Sequence, residues 1–122
     1  MKTKKVISQL AQLISENVME VNSNQRLKIH LSAVFANNFV NYLYTVAEDY
    51  LKENKLPFQL LVPLITDAAQ RLQKYSPSEM QTGPAKRGDK KVMNMHLELL
   101  NQSELQKIYS LLSAQIQKKF NS

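Results

Sequence analysis

The sequence predicts an all-α protein, about five helices around one long central helix, with a short extended segment near its N-terminus. Three observations carry this expectation. Apolar residues recur at helical spacing along most of the 122 residues; the chain has only two glycines and four prolines, gathered at a few places; and just one stretch, Asn17-Val18-Met19-Glu20-Val21, is β-prone.

Val6, Ile7, Leu10, Leu13 and Ile14 form the apolar stripe of a first amphipathic helix. The β-prone segment follows. It has no partner strand in the sequence, and a lone strand is not stable unless it pairs. Asn22-Ser23-Asn24 then punctuates the chain, with Ser23 as the expected N-cap of helix two. That helix should run from about residue 24 to 53, and its middle is apolar on nearly every side (Leu31, Val34, Phe35, Phe39, Val40, Leu43). Such a helix is covered by neighbours on several faces or by a second subunit, and both are expected here. Asn37, Asn38 and Asn41 interrupt it, so these amides are either paired inside or face a cleft.

Asn54-Lys55-Leu56 closes helix two, and Pro57 suits the first position of helix three. Pro63 lies within that helix and predicts a bend between Gln59 and Pro63. After Tyr75 comes the one long loop, Ser76 to Gly88, and long loops of compact domains often carry function. Asp89 is the expected N-cap of helix four, and Ser103-Glu104-Leu105-Gln106 has the capping-box pattern opening helix five.

A hydrophobic share of 43% with 21% charged residues belongs to a folded chain rather than a disordered one. There is no cysteine and there are two separated histidines, so no metal site is expected. No apolar run approaches the roughly 18 residues of a spanning helix, and the basic N-terminus lacks the apolar core of a signal peptide. A soluble, cytoplasmic protein is expected. The net charge of +6 raises nucleic acid as a partner, but its cations sit mostly at the termini and at Lys86, Arg87, Lys90 and Lys91, a pattern that disfavours it. Phosphate-cradling loops need several glycines for close backbone approach, and Gly83 and Gly88 do not stand in that pattern. No nucleophile elbow is present for a hydrolase.

Two stretches read together, His30-Leu31-Ser32-Ala33-Val34-Phe35-Ala36-Asn37-Asn38-Phe39 and Gln81-Thr82-Gly83-Pro84-Ala85-Lys86-Arg87-Gly88-Asp89, with Pro63-Leu64 between and Asn94-Met95-His96-Leu97 after, carry a resemblance. The chain resembles, over about residues 18 to 120, the all-helical C-terminal domain of Rossmann-type NADP-dependent oxidoreductases, proteins similar to deazaflavin-dependent NADP oxidoreductase and to 6-phosphogluconate dehydrogenase. The resemblance implies that residues 1–22 are the end of a Rossmann-like domain, helix plus edge strand, and that residues 23–122 are a helical substrate and dimerisation domain. It also implies NADP(H), bound mainly by a domain whose glycine-rich loop this sequence lacks, with no cofactor-binding residue assigned here. The chain then corresponds to a fragment, a split gene product or a reduced relative, inactive alone, paired as a homodimer through helix two and joined by a Rossmann domain.

The residues expected at a substrate cleft are His30, Asn38, Thr82, Gly83, Arg87, Asp89 and His96. Arg87 can grip a carboxylate or phosphate with its planar fork, or simply pair with Asp89. Asp89 favours the cap over a catalytic role. Asn38 faces the cleft or is a satisfied core amide. His30 and His96 could each donate a proton near neutral pH, although a packed or hydrogen-bonded histidine is the commoner outcome. Thr82 and Gly83-Pro84 shape a turn. A helical dimerisation or scaffolding module without catalysis is the alternative reading.

Overall fold

The computed structural model describes residues 22–121, which divide between two compact units, one reaching to Pro63 and one beginning at Leu64. All described elements are helical, so the all-α expectation holds for these residues. The first helix and the β-prone segment anticipated before residue 22 lie outside the described residues.

The first unit is built on a single helical run. It comprises α1 (Ser23–Ala33), a π-helical turn (Val34–Phe39) and α2 (Val40–Glu53). Its N-cap is Asn22 rather than Ser23. The Asn22 side chain accepts from the Gln25 N–H at 2.8 Å, and the Gln25 side chain accepts from the Asn22 N–H at 3.0 Å. Reciprocal capping of this kind needs an amide or carboxyl side chain three residues inward, and only Asn22 has one. The run closes at Asn54-Lys55-Leu56 as expected: Leu56 N–H reaches Leu51 C=O at 2.8 Å and Lys55 N–H reaches Lys52 C=O at 3.1 Å. These two bonds form a Schellman motif, and they hold Lys55 in the left-handed region at φ 59°.

The Pro63 bend takes a different form from the one anticipated. Pro57 is extended, Phe58–Leu61 form a 3-10 turn packed on α2, and a new helix α3 (Val62–Arg71) begins just before Pro63. Pro63 therefore sits in a first turn, where its missing N–H leaves no bond broken. The helix boundary absorbs the strain that a mid-helix kink would have carried.

In the second unit the long loop of residues 76–88 is largely helical. Ser76 and Glu79 form a capping box over a 3-10 turn (Pro77–Met80), and Pro84–Arg87 make a one-turn helix, α4. Next come α5 (Lys90–Leu99) and α6 (Ser103–Phe120). Asp89 caps α5 as anticipated, its side chain accepting from Val92 N–H at 3.2 Å. The expected Ser103–Gln106 capping box does not form, since Gln102 is the N-cap and has no side-chain cap bond. Gln106 instead donates to Leu97 C=O at 3.1 Å and Leu100 C=O at 2.8 Å. It thereby gives the Leu100 carbonyl a partner and adds a second to the Leu97 carbonyl, which accepts from Leu100 N–H at 3.2 Å. The core of this unit is thin: Ala85 at 5% exposure and Met93 at 8% are the two buried residues among those described.

Candidate functional site

The anticipated site residues fall in both units. His30 and Asn38 belong to the first, and both are exposed. Asn38 lies in the π-helical turn, where one residue more per turn widens the backbone to i→i+5 bonding, a feature frequent at functional sites. Phe35 and Phe39 flank it with rings 5.1 Å apart in an edge-to-face pair, and both are more than half exposed. Asn37 and Asn41 are exposed as well, so of the two outcomes weighed for these amides the paired interior is not the one found within this unit.

Thr82, Gly83, Arg87 and Asp89 are brought together by α4. Gly83 precedes it at φ 106°, ψ 171°, a conformation essentially reserved for glycine, and Pro84 takes the first helical position. Gly88 ends the turn in the left-handed region at φ 69°, with its N–H on Ala85 C=O at 3.2 Å, and Asp89 N–H reaches Pro84 C=O at 2.9 Å. The buried Ala85 methyl plugs this turn against α5 and α6. Asn121 ties it to the end of α6, its Nδ2 donating to Ala85 C=O at 3.2 Å and Lys86 C=O at 2.7 Å. Arg87 stands 3.9 Å from Asp89. A contact that long between an exposed guanidinium and a half-buried carboxylate is worth under about 1 kcal/mol, so the guanidinium is not committed to it.

His96 lies on α5, beyond the turn. Its Nδ1 is 2.7 Å from the Tyr109 hydroxyl on α6, and the two rings meet edge to face. Burial raises the Tyr109 phenol above its ordinary value of 10.0. Tyr109 and Asn121 were not singled out from the sequence, and Gln106 was singled out only as a capping-box residue. Their roles are tertiary contacts across 13, 35 to 36 and 6 to 9 residues, and no local pattern announces them.

A pyrophosphate cradle would require glycines whose missing Cβ lets a ligand approach the backbone. At Gly83 and Gly88 an added Cβ would meet nothing within 4 Å, and both glycines serve the local turn instead. Their positive φ, 106° and 69°, accounts for both glycines without a ligand. The described residues contain no group of three or more His, Asp or Glu able to hold a metal, and no helix long and apolar enough to cross a membrane.

A family model described as a domain of unknown function, DUF2520, matches residues 1–116. The chain belongs to the DUF2520 family. No functionally curated protein is recognisably similar to this DUF2520 chain in sequence. Among solved structures, the crystal structure of a putative NADP oxidoreductase from Bacteroides fragilis is 40% identical, with a TM-score of 0.78 over 80% of this chain and 38% of that one. The DUF2520 chain therefore spans well under half the length of that protein. An NADP-oxidoreductase-like helical domain, expected from the two motif stretches, is what family and fold both give.

Proposed function

We propose that this chain is the substrate-side and dimerisation domain of an NADP-dependent oxidoreductase, acting in the cytoplasm, with the nucleotide bound chiefly by a separate Rossmann-type domain. The observation that carries the reading is the 40% identity to a putative NADP oxidoreductase of which the chain matches 38%. On this reading NADPH supplies the hydride, and this chain's residues bind and orient the molecule to be reduced. Thr82, Gly83, Arg87 and Asp89, brought together by α4, and His96 on α5 are the residues of the second unit assigned to that cleft, while His30 and Asn38 are candidates within the first unit. Arg87 would hold an anionic group, because its fork is exposed and only loosely paired.

Dimerisation is supported by the first unit, where Leu27 (67% exposed), Leu31 (59%), Phe35 (61%), Phe39 (52%) and Tyr42 (56%) leave a long apolar face on one helical run. Uncovered apolar surface of that kind marks an interaction site. A second copy of the chain is the proposed cover. The same face supports the second reading, a non-catalytic dimerisation or scaffolding module. Sedimentation equilibrium tests the shared element: a dimer is expected, and Leu31→Asp should convert it to folded monomer. A wild-type monomer at all concentrations would refute dimerisation. Binding of substrate-like anions that Arg87→Ala abolishes without loss of the dimer would favour the reductase domain over the scaffold.

A further inference from the structure

Along the C-terminal half of α6 runs a groove of about 350 Å³, a size that suits a small ligand. Its apolar floor is Leu112, Ile116 and Phe120, and Ser78, Gln81 and Lys119 stand among its polar lining. A second cation joins it from α4, since Lys86 Nζ lies 5.7 Å over the Phe120 ring. Lys119 lines the groove and Lys86, 33 positions earlier, reaches the ring of Phe120 that also lines it, a convergence that their places in the sequence conceal. Among the described residues neither has a carboxylate within 4.0 Å. The two acids nearest Lys86 in sequence are engaged elsewhere, Glu79 on Ser76 N–H at 3.3 Å and Asp89 on Val92 N–H at 3.2 Å, and the acid nearest Lys119, Glu104, pairs with Lys107 at 3.3 Å.

Two further lysines stand outside the groove, and Lys90 lines a different concavity, with Tyr109 and Ser113. Lys90 and Lys91 occupy the first turn of α5, where the Asp89 carboxylate at the N-cap offsets them at the positive end of the helix dipole. An anion beside Lys86 and Lys119 would offset their charge, and an apolar body attached to it would cover Phe120 and Leu112.

We infer that the groove lined by Phe120, Leu112, Ile116, Gln81 and Lys119, with Lys86 at its edge, is a binding site for a small phosphate-bearing molecule with an apolar or aromatic body. The site is independent of the reductase reading, because every residue in it belongs to the second unit and none is among those assigned to the cleft. Its failure leaves that reading intact, and the converse holds.

The test is titration of the isotopically labelled full chain with phenyl phosphate, and separately with inorganic phosphate at matched ionic strength, followed by amide chemical shifts. Saturable shifts confined to residues 78–81, 85–86 and 115–121 are expected, with Thr82 and Arg87, assigned to the cleft, unmoved. Phenyl phosphate should bind at least roughly fivefold tighter than inorganic phosphate, the contribution of burying part of one ring. Lys86→Gln combined with Lys119→Gln should weaken it about tenfold, and Gln115→Glu, an exposed helical change that keeps both lysines, should weaken it as well. Shifts that rise linearly, that involve Lys2, Lys4 and Lys5 equally, or that are the same for both phosphates would overturn the proposal. So would a short DNA duplex shifting the same amides at far lower concentration, which would make the region an extended polyanion surface instead.

Discussion

His96 Nδ1 and the Tyr109 hydroxyl lie 2.7 Å apart, joining α5 to α6 through their only side-chain to side-chain hydrogen bond among the described residues. The bond forms with either tautomer, the phenol donating to a bare Nδ1 or a protonated Nδ1 donating to the phenol oxygen. Tyr109→Phe removes it while keeping the ring, and should cost about 1 kcal/mol in urea unfolding. The pH dependence has a definite sign. Burial raises the Tyr109 phenol above 10.0, so its neutral form is favoured in the folded state, and that stability is complete below the unfolded value and lost as pH rises through the folded one. The wild-type chain should therefore lose more stability than Tyr109→Phe as pH is taken above about 10. Parallel pH profiles for the two would contradict it.

Gln106 holds the end of α5 through two donated bonds, at 2.8 and 3.1 Å. Gln106→Ala leaves the Leu97 and Leu100 carbonyls with one partner fewer each, and should destabilise the chain by about 1 to 2 kcal/mol. Gln106→Glu should cost at least as much, because a carboxylate cannot donate to either carbonyl. Thermal unfolding of the three proteins checks the order.

Backbone handedness gives substitutions of opposite sign. Lys55 carries a side chain at φ 59°, and Lys55→Gly should stabilise by about 0.5 to 1 kcal/mol. Gly83 at φ 106° has open space around a would-be Cβ, so Gly83→Ala reports strain alone and should cost about 1 to 3 kcal/mol. Denaturant midpoints measure both. A Gly83→Ala variant as stable as wild type would show that the turn before α4 is not held in that conformation.

What could be read from the sequence was local. Asp89 announced its cap through the helix that follows it, Asn54-Lys55-Leu56 announced a stop, and the Thr82 to Asp89 stretch carried the family resemblance because one turn of chain positions all its members. The π-helical turn at Val34–Phe39 could not be foreseen, since apolar spacing over six residues does not separate i→i+5 from i→i+4 bonding. Ser103 and Gln106 matched a capping box in pattern, but two carbonyls at the end of the preceding helix competed for the same amide and won it. Ser23 lost the N-cap to Asn22 for a similar reason, the better partner being one residue earlier. The pairing of Lys86 with Phe120 depends on tertiary folding, and charge counting along the chain made those lysines look like an ordinary solvated face.

The most direct measurement is NADPH affinity of a separately produced Rossmann-type nucleotide domain from a similar oxidoreductase, titrated with and without this chain. Linkage requires that a domain forming the other wall of the cleft change that affinity. The chain alone should show no saturable NADPH binding, and its addition should tighten binding by the nucleotide domain roughly tenfold. Saturable binding by the chain alone, or an affinity that does not move when it is added, would contradict the account.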